Sequence, residues 1–314
     1  MGDLRYHVVF NANAGTALAA GVTEAALQDM FDLNGLTATI DADADRPMAE
    51  RIAQAVEGPA EIVVAAGGDG TITALAGALV DTDKTLAILP LGTVNALAKD
   101  LKVPLDLSAA VASLVTATPQ RIDVGEVNGR VFLHKVVIGL IPAVAAGRER
   151  IRGNETALAK LGFLRYFFRR LARNRRIALA IDTNGGNPTV ERVQALAVAS
   201  NAYDEGFGQF FSRESLDRGS LTLYVLKHFA FADFVRLTSG MLLGRWREDQ
   251  ALRVESVSAV TIRSHKALMK VMFDGEVETL KTPLVFRIRP LSLSVLTPVE
   301  VTGTVPTEVA SVAP

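Results

Sequence analysis

Short hydrophobic runs alternate with amphipathic stretches over the first 120 residues. Four such runs end at polar or glycine-rich positions, which is typical of buried parallel strands. The runs are residues 8–10, 36–40, 62–66 and 86–89. Apolar positions at helical spacing predict helices at 23–33, 45–56, 72–80 and 107–117. This alternation predicts an open α/β sheet, in which ligands bind beyond the carboxyl ends of the strands.

After about residue 118 the pattern changes to β-like runs. Residues 121–127 and 131–138 flank Asn128-Gly129, a dipeptide that readily supplies the two positive φ values of a tight hairpin. Further β-like runs follow at 177–182, 192–200, 221–226, 252–262, 269–273, 284–288 and 292–296. Two helical stretches interrupt them, at 156–174 and 231–243. The second half is therefore predicted to be mostly antiparallel β structure.

Two domains follow from this change of pattern. An α/β domain is expected at 1–120 and a β-rich domain at 121–290, and the total of 314 residues suits two domains of ordinary size. The tail at 300–314 alternates small apolar residues, threonine and proline with few charges, and we expect it to be flexible.

Composition excludes several classes of function. Lysine plus arginine (33) nearly balance aspartate plus glutamate (34), which excludes a globally basic protein that binds nucleic acid. The absence of cysteine excludes a disulfide framework, a thiolate metal site and a cysteine nucleophile. Hydrophobic residues make up 49% of the chain, yet no apolar run reaches the length of a membrane span and no signal peptide is evident. A cytoplasmic protein is expected.

The strongest chemical signal is a glycine cluster after the third predicted strand. Residues 67–71 read Gly-Gly-Asp-Gly-Thr and lead into a predicted helix. The glycines let backbone amides approach an anionic ligand, and the helix N-terminus adds partial positive charge. Asp69 would repel a phosphate unless its carboxylate binds a cation or a hydroxyl. The alternative is a plain turn between strand and helix.

Two further polar loops follow neighbouring strands. Asn11 lies in the loop after the first strand, and Thr93 and Asn95 lie in the loop after the fourth. Thr93 or Asn95 could instead cap the helix that follows. Because the carboxyl ends of parallel strands meet at one edge of a sheet, the three loops predict one shared cleft.

These motifs resemble those of the diacylglycerol kinase catalytic-domain family, which includes bacterial lipid kinases, sphingosine kinases and ceramide kinases. The resemblance rests on residues 11–15, 67–71, 92–95 and 274–276, and it covers about residues 4–299. It implies a nucleotide domain similar to those of NAD kinase and phosphofructokinase, a β-rich lipid-substrate domain, and ATP in the cleft between them. It also implies that a late strand near 291–299 returns to the first domain.

The resemblance assigns roles by position. Glu276 matches the general base, and Asp69 and Asp274 are expected at the catalytic centre as the residues that hold or orient Mg²⁺. If the strand before Asp274 continued, Asp274 and Glu276 would point to the same side. A surface Asp-Gly turn is the alternative for this segment. The nucleotide-contacting positions implied by the family are Asn11, Thr39, Gly67, Gly68, Asp69, Gly70, Thr71, Ile72, Thr93 and Asn95.

The chain departs from the family pattern in three places. Ala12 stands where the first motif usually has proline. The accessory magnesium-binding segment reads Asp-Gly-x-Leu in bacterial members, whereas here Arg218 occupies the aspartate position and Asp217, the remaining candidate metal ligand, precedes it. The hypothesis that follows is that the Arg218 guanidinium replaces the charge of the cation. The loop at 203–205 is also unusually acidic.

A basic segment suggests how the protein meets a membrane. Residues 148–176 contain ten lysines and arginines against two glutamates, with leucines and phenylalanine at helical spacing among them. Such a helix can dock on an anionic bilayer, or its apolar stripe can pack on the β-rich domain. Apolar residues at 229–246 are a second candidate, either for the lipid entrance or for core packing. The sequence leaves open whether the chain forms a homodimer.

The motifs together favour a kinase that uses ATP and Mg²⁺ to phosphorylate the hydroxyl of a membrane lipid of diacylglycerol or sphingoid type. The expected location is the cytoplasm, with peripheral association with membranes. Two other functions stay open. A small-molecule kinase similar to NAD kinase or phosphofructokinase shares the glycine loop, and a catalytically silent regulator that binds lipid or nucleotide is compatible with Arg218.

Overall fold

Two β-sheets organise the molecule. The computed structural model describes residues 5–15, 21–139, 176–204, 212–227 and 249–299, together with residues 233, 236, 239, 240, 245 and 247. The described helices are α1 (Glu24–Leu33), α2 (Met48–Glu57), α3 (Asp69–Leu79), α4 (Ala96–Asp100) and α5 (Leu107–Ser113). None of these described helices has the length and apolar character needed to cross a bilayer.

The N-terminal half has the predicted α/β architecture. Its strands are β1 (Arg5–Phe10), β2 (Thr37–Asp41), β3 (Ile62–Gly67) and β4 (Thr85–Pro90). They pair in parallel in the order β2-β1-β3-β4. Helices pack around them to enclose a core of aliphatic side chains. Helix α4 begins directly after Asn95, where the sequence predicts a helix, but its five residues are too few for a helical period to show its bounds.

The C-terminal half is β-rich, as predicted. Its strands are β5 (Thr118–Val127), β6 (Arg130–Phe132), β7 (Lys135–Gly139), β8 (Ile177–Thr183), β9 (Thr189–Val193), β10 (Ala195–Ser200), β11 (Leu221–Leu226), β12 (Leu252–Val257), β13 (Ala259–Arg263), β14 (Leu268–Phe273), β15 (Glu276–Lys281) and β16 (Leu284–Thr297). Six of them form an antiparallel sheet in the order β12-β11-β10-β7-β14-β15. Strands β13, β8 and β9 extend the mixed first sheet beyond β16, and a second core fills the space between the sheets.

Three strands predicted as continuous are each broken into two. The predicted strands at 131–138, 192–200 and 252–262 divide near His134, Gln194 and Ser258, where the chain passes from one sheet to the other. The hydrophobic pattern runs through each break because the residues on both sides face the same core. Periodicity therefore showed the burial of these segments but not the change of sheet.

The opposite correction applies to β16, which was predicted as two strands at 284–288 and 292–296. It is one strand with an irregular register between Arg289 and Leu293. Its first part pairs with β13, and its last part pairs in parallel with β4 through Ser294 and Val295. Strand β5 pairs with both parts. Strand β16 therefore joins the N-terminal sheet to the β-rich half.

The hairpin predicted at Asn128-Gly129 is confirmed. The two residues have φ values of 50° and 81° and connect β5 to β6. Other predictions lie outside the described residues, namely the helix at 156–174, the basic segment at 148–176 except Arg176, and the tail at 300–314. The predicted helix at 231–243 and the apolar stretch at 229–246 are described only at single positions.

Candidate active site

Three loops meet where β1, β3 and β4 end. The Asn11 side-chain amide donates a hydrogen bond to Thr71 Oγ1 at 3.1 Å, which ties the first loop to the glycine loop. A Cβ atom on Gly92 would lie 2.7 Å from the Cα atom of Gly68, so the second and third loops touch backbone to backbone. Glycine is required at this approach, because any side chain would push the two loops apart.

The glycine loop presents the N-terminus of α3 to the cleft. Gly68 is the N-cap residue, and as a glycine it has no side chain to accept hydrogen bonds from the first amides of the helix. Thr71 and Ile72 are buried, and the Ile72 amide already donates to the Gly68 carbonyl. The first N–H groups of α3 are therefore the part of this loop that suits an anionic ligand.

Asp69 links the glycine loop to the loop after β4. Its two carboxylate oxygens accept hydrogen bonds from the backbone amides of Ala96 at 2.7 Å and Asn95 at 3.0 Å, at the start of α4. The carboxylate thus stabilises the positive end of a helix instead of facing a phosphate.

The loop after β4 is held in a tight turn by Asn95. This buried residue has φ 51°, and its side chain bonds both the amide and the carbonyl of Gly92 at 2.8 Å. Thr93 is exposed between them. Asn95 therefore shapes the turn, and Thr93 is the residue of this pair whose side chain a ligand can reach.

Thr39 lies apart from the three loops. It is an exposed residue of β2, the strand at the edge of the sheet, where it pairs with His7 of β1. Thr39 and His7 line a second cavity of about 370 Å³, together with Asp41 and Arg46. Strand β1 separates this cavity from the glycine loop at the end of β3.

The strand before Asp274 does not continue through Glu276, which corrects the geometry expected from the sequence. Strand β14 ends at Phe273, which pairs with Glu276 at the start of β15. Asp274 and Gly275 form the two-residue turn of this hairpin, with φ values of 45° and 103°. The two acidic side chains consequently have different environments.

The Asp274 carboxylate faces the protein. It accepts hydrogen bonds from three consecutive backbone amides, those of Leu133 at 2.7 Å, His134 at 2.9 Å and Lys135 at 3.0 Å. Thr73 of α3 also donates to it, at 3.4 Å. Burial raises the pKa of Asp274, while the three amides oppose that shift. Asp274 thereby fixes the hairpin to the chain between β6 and β7.

Glu276 faces the cleft. It is exposed, and a Cβ atom on Gly70 would lie 3.2 Å from its Oε1 atom. Both residues line a pocket of about 380 Å³ between α3 and the hairpins β5–β6 and β14–β15. The structure therefore brings the glycine loop and Glu276 together across about 200 residues of sequence.

A buried arginine that the sequence did not reveal connects the two halves of the molecule. Arg213 is 2% exposed and binds Asp100 of α4, with its Nη2 atom 2.6 Å from the Asp100 carboxylate. It also donates to the carbonyls of Leu133 at 2.7 Å and Ser200 at 2.8 Å, and it lies 3.0 Å from His134 Nδ1. Nothing distinguishes Arg213 from the other arginines in the sequence, so only the fold shows its role.

The described side chains do not by themselves form a complete metal site. No group of three or more histidines, aspartates or glutamates within the described ranges is arranged as a metal site. Asp69 and Asp274 are engaged by backbone amides, and the exposed Asp217 accepts a hydrogen bond from Ser215 at 2.8 Å. We therefore derive no catalytic step through a metal ion.

Arg218 and the acidic loop at 203–205, two places where the chain departs from the family pattern, contact each other. The Arg218 guanidinium lies 2.9 Å from the Asp204 carboxylate, which belongs to the acidic loop at 203–205. The Arg218 backbone amide also donates to Asn201 Oδ1 at 3.2 Å. The guanidinium thus has a carboxylate partner in this segment, and its replacement of a cation stays a hypothesis.

Comparison with known proteins agrees with this architecture. The profile described as the diacylglycerol kinase catalytic domain matches residues 5–127, and that of the YegS C-terminal NAD kinase beta sandwich-like domain matches residues 135–297. The diacylglycerol kinase of Bacillus subtilis is 27% identical over 219 residues, which are 69% of this chain and 71% of that protein. A probable YegS-like lipid kinase of Pseudomonas aeruginosa is 42% identical over 108 residues, 34% of each chain.

Solved structures share the fold. The crystal structure of a diacylglycerol kinase from Bacillus anthracis has a TM-score of 0.64 at 17% identity, covering 93% of this chain and 96% of that one. A second structure from the same organism has a TM-score of 0.70 at 20% identity, covering 93% and 97%. Because the two profiles follow one another along the chain and the second alone spans more than half of it, the chain belongs to the lipid kinase family that joins a diacylglycerol kinase catalytic domain to a YegS-type C-terminal domain.

Proposed function

We propose that this member of the lipid kinase family transfers the γ-phosphate of ATP to a hydroxyl group of a membrane lipid of diacylglycerol or sphingoid type. The observation that supports the proposal most strongly is the position of Glu276 against Gly70, with a phosphate-binding helix terminus on one side of the pocket and an exposed carboxylate on the other. Phosphoryl transfer depends mainly on such positioning of donor and acceptor.

The triphosphate group of ATP binds at the start of α3. The free N–H groups of the first turn and the helix dipole favour its negative charge, and the exposed Thr93 offers a hydroxyl beside them. Asp69 and Asn95 support this surface from behind by fixing the turn that carries Thr93. Thr39 lies on β2, and strand β1 separates it from the glycine loop at the end of β3.

Glu276 acts as the general base. Its carboxylate accepts the proton of the acceptor hydroxyl as that oxygen attacks the γ-phosphorus atom, and the bond from phosphorus to the β-phosphate oxygen breaks. Asp274 serves as a positioning residue, because its three amide partners hold the hairpin that presents Glu276.

The membrane side of the proposal comes from the sequence alone. The basic segment at 148–176 would bring the protein to an anionic bilayer, where the acceptor lipid resides. That segment lies outside the described residues apart from Arg176. Docking of this segment on membranes stays a prediction.

A panel of acceptors tests the proposed function. The purified chain is incubated with γ-labelled ATP and with diacylglycerol, a sphingoid base, ceramide, NAD or a sugar phosphate, each in a separate reaction. We expect label in at least one lipid. Label in NAD or a sugar phosphate, or nucleotide binding without transfer to any acceptor, would contradict the proposal.

A further inference from the structure

The pocket that contains Glu276 follows one face of α3. Gly70 and Glu276 lie at one end, and at the other end a Cβ atom on Gly77 would come within 3.8 Å of the Val131 side chain. Seven residues of α-helix separate the two glycines, which corresponds to a length of about 10 Å. Gly70, Thr73, Ala74 and Gly77 form the side of the pocket contributed by α3. Because these residues are small, the pocket has room for a headgroup that extends away from Glu276.

An ion pair between Arg130 and Glu278 lines the pocket. Arg130 binds Glu278 through two hydrogen bonds, of 2.5 Å and 3.1 Å, and its guanidinium lies 4.6 Å from the centre of the Phe273 ring. Glu278 is two residues beyond Glu276 in β15, so both carboxylates lie on the same face of the strand, about 7 Å apart along it. The bidentate pair and the ring together hold the guanidinium in place.

The pocket carries a net negative charge. Among the described residues that line it, Asp274, Glu276 and Glu278 carry negative charge and Arg130 carries positive charge. The carboxylates would repel a phosphodiester next to the reacting hydroxyl. Arg130 would offset this repulsion only in part, because it is already paired with Glu278. A guanidinium has five N–H donors, of which a bidentate pair engages two, and 51% of the Arg130 side chain is exposed. Arg130 can therefore donate to uncharged oxygen atoms of a ligand while it keeps its pair with Glu278.

We propose that the Arg130–Glu278 pair determines the specificity of the acceptor site. It favours a lipid with an uncharged, oxygen-rich headgroup, such as a glycerol ester, over a lipid that carries a phosphodiester beside the acceptor hydroxyl. This inference rests on the proposed function, because it takes the pocket around Glu276 as the acceptor site.

The test compares kcat/KM for diacylglycerol and for phosphatidylglycerol, presented in the same neutral detergent micelles. The wild-type protein is expected to prefer diacylglycerol. Glu278→Gln removes one negative charge from the pocket and releases Arg130, so it should shift the preference toward phosphatidylglycerol by about fivefold to tenfold, the order expected for one charge near the ligand in a partly exposed site. Arg130→Gln should shift the preference further toward diacylglycerol.

Glu191→Gln is the matched control, because Glu191 forms a similar pair with Arg253 at 2.7 Å and does not line the pocket. This control variant should leave the ratio of the two kcat/KM values unchanged. A wild-type preference for phosphatidylglycerol would overturn the inference, as would equal losses with both lipids in the Glu278 and Arg130 variants, which indicate a structural role. Both results leave the proposed function intact. A wild-type protein that phosphorylates neither these lipids nor any other lipid of the panel overturns both.

Discussion

The negative charge of Asp69, which is unfavourable in a phosphate-binding loop, is stabilised by backbone hydrogen bonds. A carboxylate in a phosphate loop suggests a cation partner, and the structure instead gives it two backbone amides at the start of α4. The sequence could not show this, because Asp69 and Ala96 are 27 positions apart and no local pattern brings the glycine loop to the start of α4. The same carboxylate that would repel a phosphate therefore orders the neighbouring loop.

Asp69→Asn should weaken nucleotide binding and lower the stability of the fold. Asparagine keeps one acceptor oxygen but loses the charge that strengthens both hydrogen bonds, and the expected cost is about 1 kcal/mol of unfolding free energy. Urea denaturation and a nucleotide titration measure the two effects. Asp106→Asn is the control, because Asp106 caps α5 with a bond of 2.9 Å to the Ala109 amide. It should lose similar stability with unchanged nucleotide affinity, and equal nucleotide affinity in both variants would contradict this role of Asp69.

Lys135 should make stability depend on pH in the alkaline range. Burial and the nearby Arg213 lower the pKa of Lys135 from 10.5 to about 8. Below pH 8 the folded protein must hold an unfavourable ammonium, and between pH 8 and 10.5 the unfolded chain binds more protons than the folded one. Stability attributable to this group therefore rises with pH across that interval.

Lys135→Met removes the titrating group. Thermal unfolding of both proteins from pH 7 to pH 10.5 should show the wild type gaining stability relative to the variant as pH rises. Parallel curves over the whole interval would show that the pKa of Lys135 is not lowered by the fold.

At the scale of elements, Arg213 links α4, the chain between β6 and β7, and the end of β10. The chain between β6 and β7 also holds Asp274, and α4 also holds Asp69, so a continuous set of polar contacts joins the glycine loop to the hairpin of Glu276. Burial raises the pKa of the Asp100 carboxyl, with Arg213 opposing the shift. Loss of one partner would leave the other charged and buried.

Arg213→Met should destabilise the protein by about 3 to 5 kcal/mol, because the Asp100 carboxylate would be left buried without its cation. Chemical denaturation of Arg213→Met, Asp100→Asn and the double variant measures the coupling. We expect the double variant to lose less unfolding free energy than the two single variants lose together. Strict additivity would show that the two residues do not depend on each other.

The elements also show which parts of the fold a sequence pattern can predict. Asn128-Gly129 fixes a turn locally, so its hairpin was predictable. The runs of β1, β3 and β4 are hydrophobic because both faces of these strands are covered, whereas the edge strand β2 is largely exposed. The breaks at Gln194 and Ser258 were not predictable. A strand that changes sheet keeps facing the same core and shows no change of hydrophobic period.

In the whole protein, the site depends on contacts between elements that are far apart in the sequence, and no local sequence pattern predicts them. The four motifs indicated the family and the residues of interest, but the turn at Asp274 and Gly275 separates the roles of two acidic residues that the sequence placed together. Strand β16 pairs with β4, β5 and β13 and so joins the N-terminal strands to strands of the C-terminal half within one sheet. The cleft between α3 and the β14–β15 hairpin is a product of that arrangement.

The most direct test of the central claim is phosphate transfer from γ-labelled ATP to lipid by wild type and by Glu276→Gln. We expect the variant to bind ATP and to unfold at the wild-type temperature, with transfer slower by about 10² to 10⁴-fold because the hydroxyl proton has no acceptor. Glu57→Gln, at the exposed end of α2, should transfer at the wild-type rate. Transfer by Glu276→Gln at the wild-type rate would contradict the account.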